Sequence, residues 1–374
     1  MPSALNSRWR VAFVGTGGIA TAHAAALKTL PNVDLVAVCD LSEPRAREFQ
    51  KTWSVPETFQ DLGAMLERVS PDAVHVLLPP AAHAKAAEIC LAAGSHVFVE
   101  KPFCISIDEC RRVQKVAEQN GRQIGINHNL TFMPGLLKVT DAIRQYRLGA
   151  VEHVTVMYSL PMPGITTGPH AHWMFENPGN IIFELGSHPL SAIYRYLGAG
   201  IDVRTAVSGE MTLTNGQQFY RNWQSSLVCQ RGTAQLLLAV GKPYYNIWFH
   251  ILGEDGEAFI DVRRATVRIS GNTPYLRTDH LVDGSKTAWS IFRQSLSNFQ
   301  AYSLGAIGIT PAPSWQQTAM ASSCAAFHDA VSAGKPAPVG AVEGTAVVEM
   351  CEAMARGAST ANSNSEMREG VTHG

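Results

Sequence analysis

A glutamate, a lysine and a proline follow a short apolar run near position 100. Glu100, Lys101 and Pro102 come directly after 95–99, SHVFV, a run that predicts a strand. Ligands of a doubly wound α/β sheet lie at the carboxyl ends of its strands, so a lysine placed there could exchange a proton with a substrate. Exchange near neutral pH requires burial of the lysine or a neighbouring positive charge. The alternative is a solvated turn.

A glycine-rich turn opens the first predicted helix. It matches the pattern G-x-G-x-x-[G/A], directly follows the apolar run 11–14, and comprises Gly15, Thr16, Gly17, Gly18, Ile19 and Ala20. In this pattern the first glycine makes a tight turn, the second lets a pyrophosphate approach the backbone, and the last small residue permits close helix packing. Backbone N–H groups at the helix start hold phosphate charge. We therefore predict a dinucleotide site, with a purely structural turn as the alternative.

Asp40 points to the kind of dinucleotide. It ends the predicted strand 33–39, about 20 residues after the turn, where an acid can bind the adenosine ribose hydroxyls. A carboxylate facing the ribose 2′ position repels a phosphate there, so we expect NAD. Arg45 and Arg47 could turn toward a 2′-phosphate, which keeps NADP as an alternative to a solvated helix face. An oxidised nicotinamide at the same edge would supply the positive charge that Lys101 requires.

A proline pair ends another predicted strand in the first half. Leu78, Pro79 and Pro80 follow the run 73–77, and His83 comes three residues later. Proline stops a strand and leaves loop atoms at the cofactor edge of the sheet. His83 could therefore face the cofactor, although a surface histidine at a helix N-terminus is an equally simple interpretation.

The second half has its densest group of polar and aromatic residues between positions 169 and 190. His170 and Trp173 come first, and Glu184 and His188 follow, four residues apart. On a helix these two share one face and could both point to a substrate, as general acid/base work requires. A buried core histidine is the alternative for His188. We expect no metal, because no further ligand spacing supports one.

Two hydrophobic rhythms divide the chain. From Arg10 to Ile126 short apolar strands alternate with helical patterns, which predicts a doubly wound parallel sheet. From Val151 the period changes to two, which predicts a large open, mostly antiparallel sheet. The fold class is therefore α/β with two domains. We expect a dinucleotide-binding Rossmann domain over 1–127, a substrate-binding and oligomerisation domain over 128–357, and a disordered tail over 358–374.

Composition narrows the class of protein. The 374 residues carry 30 basic and 31 acidic side chains, a formal charge of −1 that indicates neither nucleic acid nor an anionic membrane as partner. The N-terminus has no apolar stretch of signal-peptide length, and no later segment approaches a membrane span. The seven cysteines form no Cys-x-x-Cys pair, so we expect reduced thiols and a cytoplasmic protein.

These motifs resemble the glucose-fructose oxidoreductase and inositol dehydrogenase family (Gfo/Idh/MocA) from about Arg10 to Gly357. The residues that carry the resemblance are the 15–20 turn, Asp40, Pro80, His83, Glu100, Lys101, Pro102, Asn127, Trp173, Gly179, Glu184, Gly186 and His188. The resemblance implies a Rossmann domain, a second α/β domain whose open sheet often forms the interface of a dimer or tetramer, and NAD(P)-linked chemistry on sugar-like alcohols.

The resemblance also implies individual roles. Lys101 would be the catalytic lysine and contact both cofactor and substrate, and His188 would be the acid/base histidine. Glu184 stands where the family usually has aspartate, and we expect it to orient or tune that pair. Glu100 would meet the nicotinamide ribose. Leu78, Pro80, His83 and Asn127 complete the expected cofactor contacts, and His170 and Trp173 the substrate contacts.

Several positions depart from the family pattern. Glu184 replaces aspartate, Ser191 stands where a second acid commonly follows the histidine, Asn180 replaces a glycine, and Asn129 stands where many members have arginine. We expect hydride transfer between nicotinamide and a secondary alcohol or ketone of a sugar, cyclitol or glycoside. One alternative is redox-neutral glycoside cleavage or elimination through a transient ketone with a retained NAD. Another is a non-catalytic, dinucleotide-sensing regulator.

Overall fold

The computed structural model describes residues 8–145, 147–271, 278–306 and 314–371. Its strands are β1 (Trp9–Val14), β2 (Val33–Cys39), β3 (Glu57–Phe59), β4 (Ala73–Val76), β5 (His96–Val99), β6 (Ile124–Ile126), β7 (Val151–Leu160), β8 (Gly200–Thr212), β9 (Gln218–Cys229), β10 (Gly232–Val240), β11 (Asn246–Gly253), β12 (Gly256–Asp261) and β13 (Thr266–Gly271). Its helices are α1 (Gly18–Leu27), α2 (Glu43–Trp53), α3 (Leu62–Val69), α4 (His83–Ala92), α5 (Ile107–Asn120), α6 (Pro134–Arg144), α7 (Ser187–Leu197), α8 (Asp279–Ala306), α9 (Trp315–Ser332) and α10 (Ala341–Val371).

The chain divides into two compact units. The first unit is Met1–Phe132 with Trp315–Glu349, and the second is Met133–Ser314 with Met350–Gly374. The sequence predicts a second domain that runs without interruption from 128 to 357. In the structure, α9 instead belongs to the first unit and packs against α1. The physical reason lies in the core of the first unit, where Phe327 of α9 stacks on Phe98 of β5 with ring centroids 4.8 Å apart.

The first unit contains the predicted doubly wound sheet. Its strands lie in the order β3-β2-β1-β4-β5-β6, and every pair is parallel. The order reverses between β1 and β4, which opens a crevice at the carboxyl ends of those strands. Helix caps follow the sequence signals: Ser106 accepts a hydrogen bond from the Glu109 amide at the start of α5, and Gly121 ends that helix with φ 60°. The predicted α/β class is confirmed.

The second unit contains an open sheet in the order β13-β12-β11-β7-β10-β9-β8. Neighbours are antiparallel except for β7 and β10, which are parallel. The expected mostly antiparallel sheet is thus present. Strand β13 and helix α8 were not anticipated from the sequence.

The C-terminal helix is longer than expected. Helix α10 continues through Val371, so the tail expected to be disordered from 358 is helical over that length, and residues 372–374 lie outside the described residues. Gly357 lies within the helix; a single glycine costs about 1 kcal/mol but does not by itself end a helix, and the following stretch contains no proline. Among the described residues, no helix combines the length and hydropathy that crossing a membrane requires.

Candidate active site

The glycine turn lies between β1 and α1, as the sequence predicts. Gly15 has φ +95°, and a Cβ built on it would lie 2.4 Å from the carbonyl oxygen of Leu77. Only glycine fits both the backbone conformation and the space. Gly17 and Gly18 are different, because a Cβ on either would meet no atom within 4 Å. These two glycines leave open space above the turn.

That open space fits the pyrophosphate of a dinucleotide. Gly17 is the N-cap of α1, and neither a capping side chain nor an acid lies in the first turn of that helix. The N–H groups and the positive end of the helix dipole are therefore suited to an anion. Ala20 is fully buried against the sheet, whereas Ile19 is partly exposed beside the turn. The residues present therefore fit NAD.

Asp40 is held at the end of β2 by several donors. Its Oδ2 accepts hydrogen bonds from the Thr16 amide at 3.0 Å and the Thr16 hydroxyl at 2.8 Å, and its Oδ1 accepts from the Ser42 amide at 2.9 Å. Arg45 also pairs with Oδ1 at 3.0 Å. Burial alone would raise the pKa of Asp40, but the bonds from Ser42, Thr16 and Arg45 outweigh it and lower the pKa.

The two arginines considered for a 2′-phosphate have acidic partners. Arg45 pairs with Asp40 itself, and Arg47 pairs with Glu43 at 2.6 Å on the surface of α2. Leu41, directly after Asp40, is 90% exposed. An exposed leucine at this strand end offers an apolar surface to the flat face of a base, a contact that the sequence reasoning did not include.

Glu100 lies buried at the carboxyl end of β5. Its Oε1 accepts hydrogen bonds from Asn127 Nδ2 at 2.6 Å and contacts His23 Nε2 at 2.8 Å, while its Oε2 accepts from the Lys101 amide at 3.1 Å. Burial would raise the pKa of Glu100, but the hydrogen bond with His23, the charge of the Lys101 ammonium and the hydrogen bond from Asn127 lower it to about 2. Glu100 is therefore a fixed anion beside the half-buried Lys101.

His83 connects two loops at this edge rather than opening onto it. The residue is buried, with Nδ1 2.8 Å from the Pro102 carbonyl and Nε2 2.8 Å from the Leu78 carbonyl. Burial lowers the pKa of His83, although both carbonyls oppose that shift. The geometry gives His83 a bracing position between the loop after β4, which includes the buried Pro80, and the loop of Lys101.

The sequence reasoning missed four buried histidines among the described residues of the first unit, and one of them, His128, follows β6. His23, His75 and His328 are at most 2% exposed, on α1, β4 and α9. His23 belongs to a helix face whose other members, Ala20, Ala24 and Leu27, are buried, so the helical period itself placed a histidine in the core. A polar residue on an apolar face is the signal that could have identified it.

In the second unit, Glu184 lies in a π-helical turn, Ile182–Gly186, that leads into α7. Single π-turns occur frequently at functional sites. Glu184 Oε2 accepts a hydrogen bond from the Trp173 indole N–H at 2.9 Å, and the Asn180 amide donates to the Trp173 carbonyl at 2.8 Å. Glu184 and Asn180, two of the residues expected to differ from the resembled family, thus both form hydrogen bonds with Trp173.

The two second-unit histidines differ in their surroundings. His188 is half-buried near the start of α7, and its ring lies 6.4 Å from the ring of Tyr158, nearly parallel to it. His170 is buried in a loop, with Nδ1 2.7 Å from the Thr214 hydroxyl and Nε2 2.9 Å from the Ile165 carbonyl. Both ring nitrogens of His170 therefore hold the loop, which favours a structural role over substrate contact.

Comparisons with known proteins agree with this geometry. Residues 9–128 match the GFO_IDH_MocA model, described as an oxidoreductase family with an NAD-binding Rossmann fold. A dTDP-3,4-didehydro-2,6-dideoxy-alpha-D-glucose 3-reductase of Streptomyces violaceoruber is 27% identical over 67% of this chain and 70% of that protein. A D-glucoside 3-dehydrogenase of Escherichia coli is 29% identical over 53% of this chain and 57% of that protein.

Solved structures share the fold over nearly the whole chain. A levoglucosan dehydrogenase in complex with NADH and levoglucosan has a TM-score of 0.75 at 14% identity and covers 95% of this chain and 98% of its own. A dehydrogenase from Bordetella pertussis in complex with NADH and UDP-GlcNAcA has a TM-score of 0.73 at 18% identity, covering 95% and 97%. The similarity at this level of identity concerns the fold.

The glycine turn, the parallel sheet and the family match define an oxidoreductase with an NAD-binding Rossmann domain. The first part of the chain, residues 9–128, is therefore similar to the NAD-binding Rossmann domain of the Gfo/Idh/MocA family.

Proposed function

We propose that the protein transfers a hydride between NAD and the secondary alcohol or ketone carbon of a sugar, cyclitol or glycoside. The observation that carries this proposal is the position of Glu100 and Lys101 at the carboxyl end of β5, the same sheet edge that holds the glycine turn and Asp40. Relatives whose names specify sugar reduction or glucoside oxidation support the substrate class.

The chain's own residues divide the work of binding and proton transfer. NAD, when bound, supplies the hydride acceptor. The glycine turn binds its pyrophosphate, Asp40 its adenosine ribose and Glu100 its nicotinamide ribose. Lys101 or His188 takes the proton of the substrate hydroxyl as the C–H bond breaks. A positioned acid/base group of this kind contributes roughly 10²–10⁴-fold in rate.

Glu184 selects the shape of the substrate through Trp173. Its additional methylene, relative to aspartate, gives the carboxylate the reach with which it accepts the indole N–H at 2.9 Å. A tryptophan fixed in this way offers a rigid apolar face, which suits the C–H face of a pyranose ring or an apolar aglycone. We therefore assign Trp173 to substrate binding and Glu184 to its orientation.

A substrate screen tests the reaction class. Purified protein is incubated with sugars, cyclitols and glycosides, and the absorbance of reduced cofactor is followed with NAD and NADP separately. With an active substrate, Lys101→Met and His188→Asn should each lower turnover by roughly 10²–10⁴-fold, while Lys115→Met, an exposed lysine of α5, serves as matched control. Near wild-type turnover in both active-site variants would contradict the assigned roles.

The double variant tests whether Lys101 and His188 serve one proton transfer. Groups that act as a unit are not additive, so the double variant should lose little more activity than the worse single variant. If the activity lost in the double variant equals the product of the two single losses, the two residues act in separate steps.

Two other outcomes would replace the proposal. Activity without added cofactor, with no NADH accumulating and NAD released on denaturation, would assign the redox-neutral reaction with a retained cofactor. NAD binding without turnover of any substrate would assign the regulator. Mass analysis of released nucleotide and calorimetric titration with NAD distinguish the three cases.

We further propose that the protein assembles through α8 with a second copy of itself. Large apolar side chains on this helix are exposed, including Trp289 at 62%, Phe299 at 66% and Tyr302 at 71%. Apolar surface of this kind marks an interaction face. Trp289→Glu should lower the mass measured by light scattering, whereas Tyr244→Glu, an exposed tyrosine before β11, should not. A wild-type monomer would refute the assembly.

A further inference from the structure

A row of buried histidines connects helix α9 to the carboxylate of Glu100. His328 Nε2 lies 3.0 Å from His75 Nε2, and His75 Nδ1 lies 2.9 Å from His23 Nδ1. His23 Nε2 in turn lies 2.8 Å from Glu100 Oε1. We call these three residues, His328, His75 and His23, the histidine chain. All its members belong to the first unit.

Each hydrogen bond in the histidine chain needs one donor nitrogen and one acceptor nitrogen. A carboxylate only accepts, so His23 Nε2 carries a proton, and the arrangement proposed below has His23 Nδ1 as an acceptor. His75 therefore donates from Nδ1 and accepts at Nε2, and His328 donates from Nε2. The remaining His328 Nδ1 is then an acceptor, and it has no hydrogen-bond partner among the described residues.

Packing fixes the rings of His75 and His328, and burial keeps both residues uncharged. The His75 ring stacks on Phe13 and on His328, with centroids 5.1 Å and 5.2 Å apart. Burial lowers the pKa of His75 well below its ordinary value and that of His328 to about 3. Neither histidine holds a proton charge at neutral pH, as the one-directional pattern requires.

A metal ion fits this cluster less well than hydrogen bonds do. One ring nitrogen each of His23 and His75 and the Cys324 sulfur lie within 4.8 Å of one another. Two imidazole nitrogens bound to tetrahedral zinc at ~2.0–2.1 Å are roughly 3.3 Å apart. The two nitrogens here are 2.9 Å apart, an ordinary hydrogen-bond distance. Burial also raises the pKa of Cys324, so its thiol is protonated.

Glu100 receives charge and hydrogen bonds from several elements. His23 contacts it from α1, Asn127 from the end of β6 and Lys101 from the adjacent backbone. His83 of α4 and Cys324 of α9 face it electrostatically. Among the residues that the structure describes, His23 is the contact that connects Glu100 to His75 and His328, so a change at His328 reaches the carboxylate through His75 and His23.

We propose that His328 and His75 are positioning residues that act through His23 on Glu100: the histidine chain fixes the carboxylate, and its negative charge favours the oxidised, positively charged nicotinamide over the reduced one. The inference rests on the proposed function, since it requires NAD to bind beside Glu100. Its consequence is a cofactor site whose preference between NAD⁺ and NADH depends on His328 of helix α9.

Direct binding tests the proposal without any substrate. Affinities for NAD⁺ and NADH are measured by calorimetry on the full chain between about pH 8 and pH 5. The variants are His328→Leu, which removes the donor, and His328→Gln, whose amide restores an N–H near the Nε2 position. Val331→Ala is the matched control, because Val331 is buried on the same helix outside the histidine chain.

We expect His328→Leu to lower the ratio of NAD⁺ to NADH affinity by roughly three- to tenfold, a fraction of what a lost hydrogen bond to a charged group costs. The pKa of Glu100 rises when its donors weaken, so in this variant NAD⁺ affinity should fall as the pH falls. In the wild type it should stay level over this range, far above the pKa of about 2. His328→Gln should restore the wild-type ratio, and Val331→Ala should keep it.

A second measurement uses the wild type, so it does not depend on whether a variant folds. Nitrogen-15 NMR of the histidine-labelled wild type should show protonated Nε2 in His23, Nδ1 in His75 and Nε2 in His328. Other tautomers, an unchanged affinity ratio in His328→Leu, or a stoichiometric metal ion lost in Cys324→Ser would overturn the histidine chain. Absence of binding to either nucleotide by the wild type would instead refute the proposed function itself.

Discussion

Two glycines of the same turn should respond in opposite ways to the same added methyl group. Gly15→Ala places a Cβ 2.4 Å from the Leu77 carbonyl oxygen at a φ of +95°, whereas Gly17→Ala adds a Cβ with no atom within 4 Å. Gly17 has φ −66°, which any residue adopts. We expect Gly15→Ala to destabilise the fold and Gly17→Ala to weaken NAD binding alone.

The magnitudes follow from those two environments. A left-handed backbone costs an L-residue about 1–2 kcal/mol, and the clash with Leu77 adds to it, so Gly15→Ala should lose roughly 3 kcal/mol of stability. That corresponds to about 6–12 °C in Tm for a unit of this size. Gly17→Ala should cost less than about 1 kcal/mol of stability. Its methyl group displaces a phosphate from charged hydrogen bonds worth roughly 1.5–3 kcal/mol, which is about 10–100-fold in Kd.

Thermal unfolding with and without NAD, together with calorimetric titration, measures both effects. The wild type should gain Tm with NAD, Gly17→Ala should start at nearly the same Tm and gain little, and Gly15→Ala should start low. Wild-type NAD affinity in Gly17→Ala would refute the reasoning, because a pyrophosphate that approaches this backbone cannot tolerate the methyl group. An unchanged Tm in Gly15→Ala would refute the steric argument.

Three further predictions concern single acids. Asp40→Asn should lower NAD affinity by roughly 10–100-fold. It should also lower the ratio of NAD affinity to NADP affinity, because the repulsion between the carboxylate and a 2′-phosphate is lost. Calorimetric titrations with both nucleotides measure these affinities. The stabilising effect of ionised Glu100 is present above its ordinary pKa of 4.5 and is lost as the pH falls toward about 2. In Glu100→Gln, the free energy of unfolding measured with urea should therefore depend less on pH between these two values. Glu184→Gln keeps an acceptor for Trp173 and should raise KM less than Glu184→Ala in steady-state kinetics, and equal values would contradict the orienting role.

The sequence predicts where the glycine turn, Asp40 and Lys101 lie in the fold, because the signals for these positions are local. The turn at Gly15, the acid at Asp40 and the lysine after β5 are each set by a strand end and the residues next to it. Strand alternation likewise predicts the parallel sheet, since the period of the apolar residues is a local property. Strand β3 was missed because it has only three residues, Glu57–Phe59, none of them fully buried.

The contacts that sequence reasoning missed are the long-range ones. No local pattern relates His328 to His75, which are 253 residues apart and meet only because α9 returns to the first unit. The bond between Trp173 and Glu184 depends on a π-helical turn, which the ordinary helical period does not foresee. His83 and His170 were expected at the ligand, but both rings are engaged by loop carbonyl or hydroxyl groups, contacts that sequence spacing does not reveal.

The proposed function assigns reaction type and substrate choice to different residues of this chain. Lys101 and its support by Glu100 lie in the unit that matches the NAD-binding family model. Trp173 lies in the second unit, where the Asn180 side chain donates to its carbonyl and Glu184 accepts from its indole N–H. Trp173→Phe keeps an aromatic ring but loses the hydrogen bond to Glu184, so it should change the order of preferred substrates as ranked by their KM values. The same variant should leave NAD affinity unchanged, whereas Lys101→Met should lower kcat for every substrate.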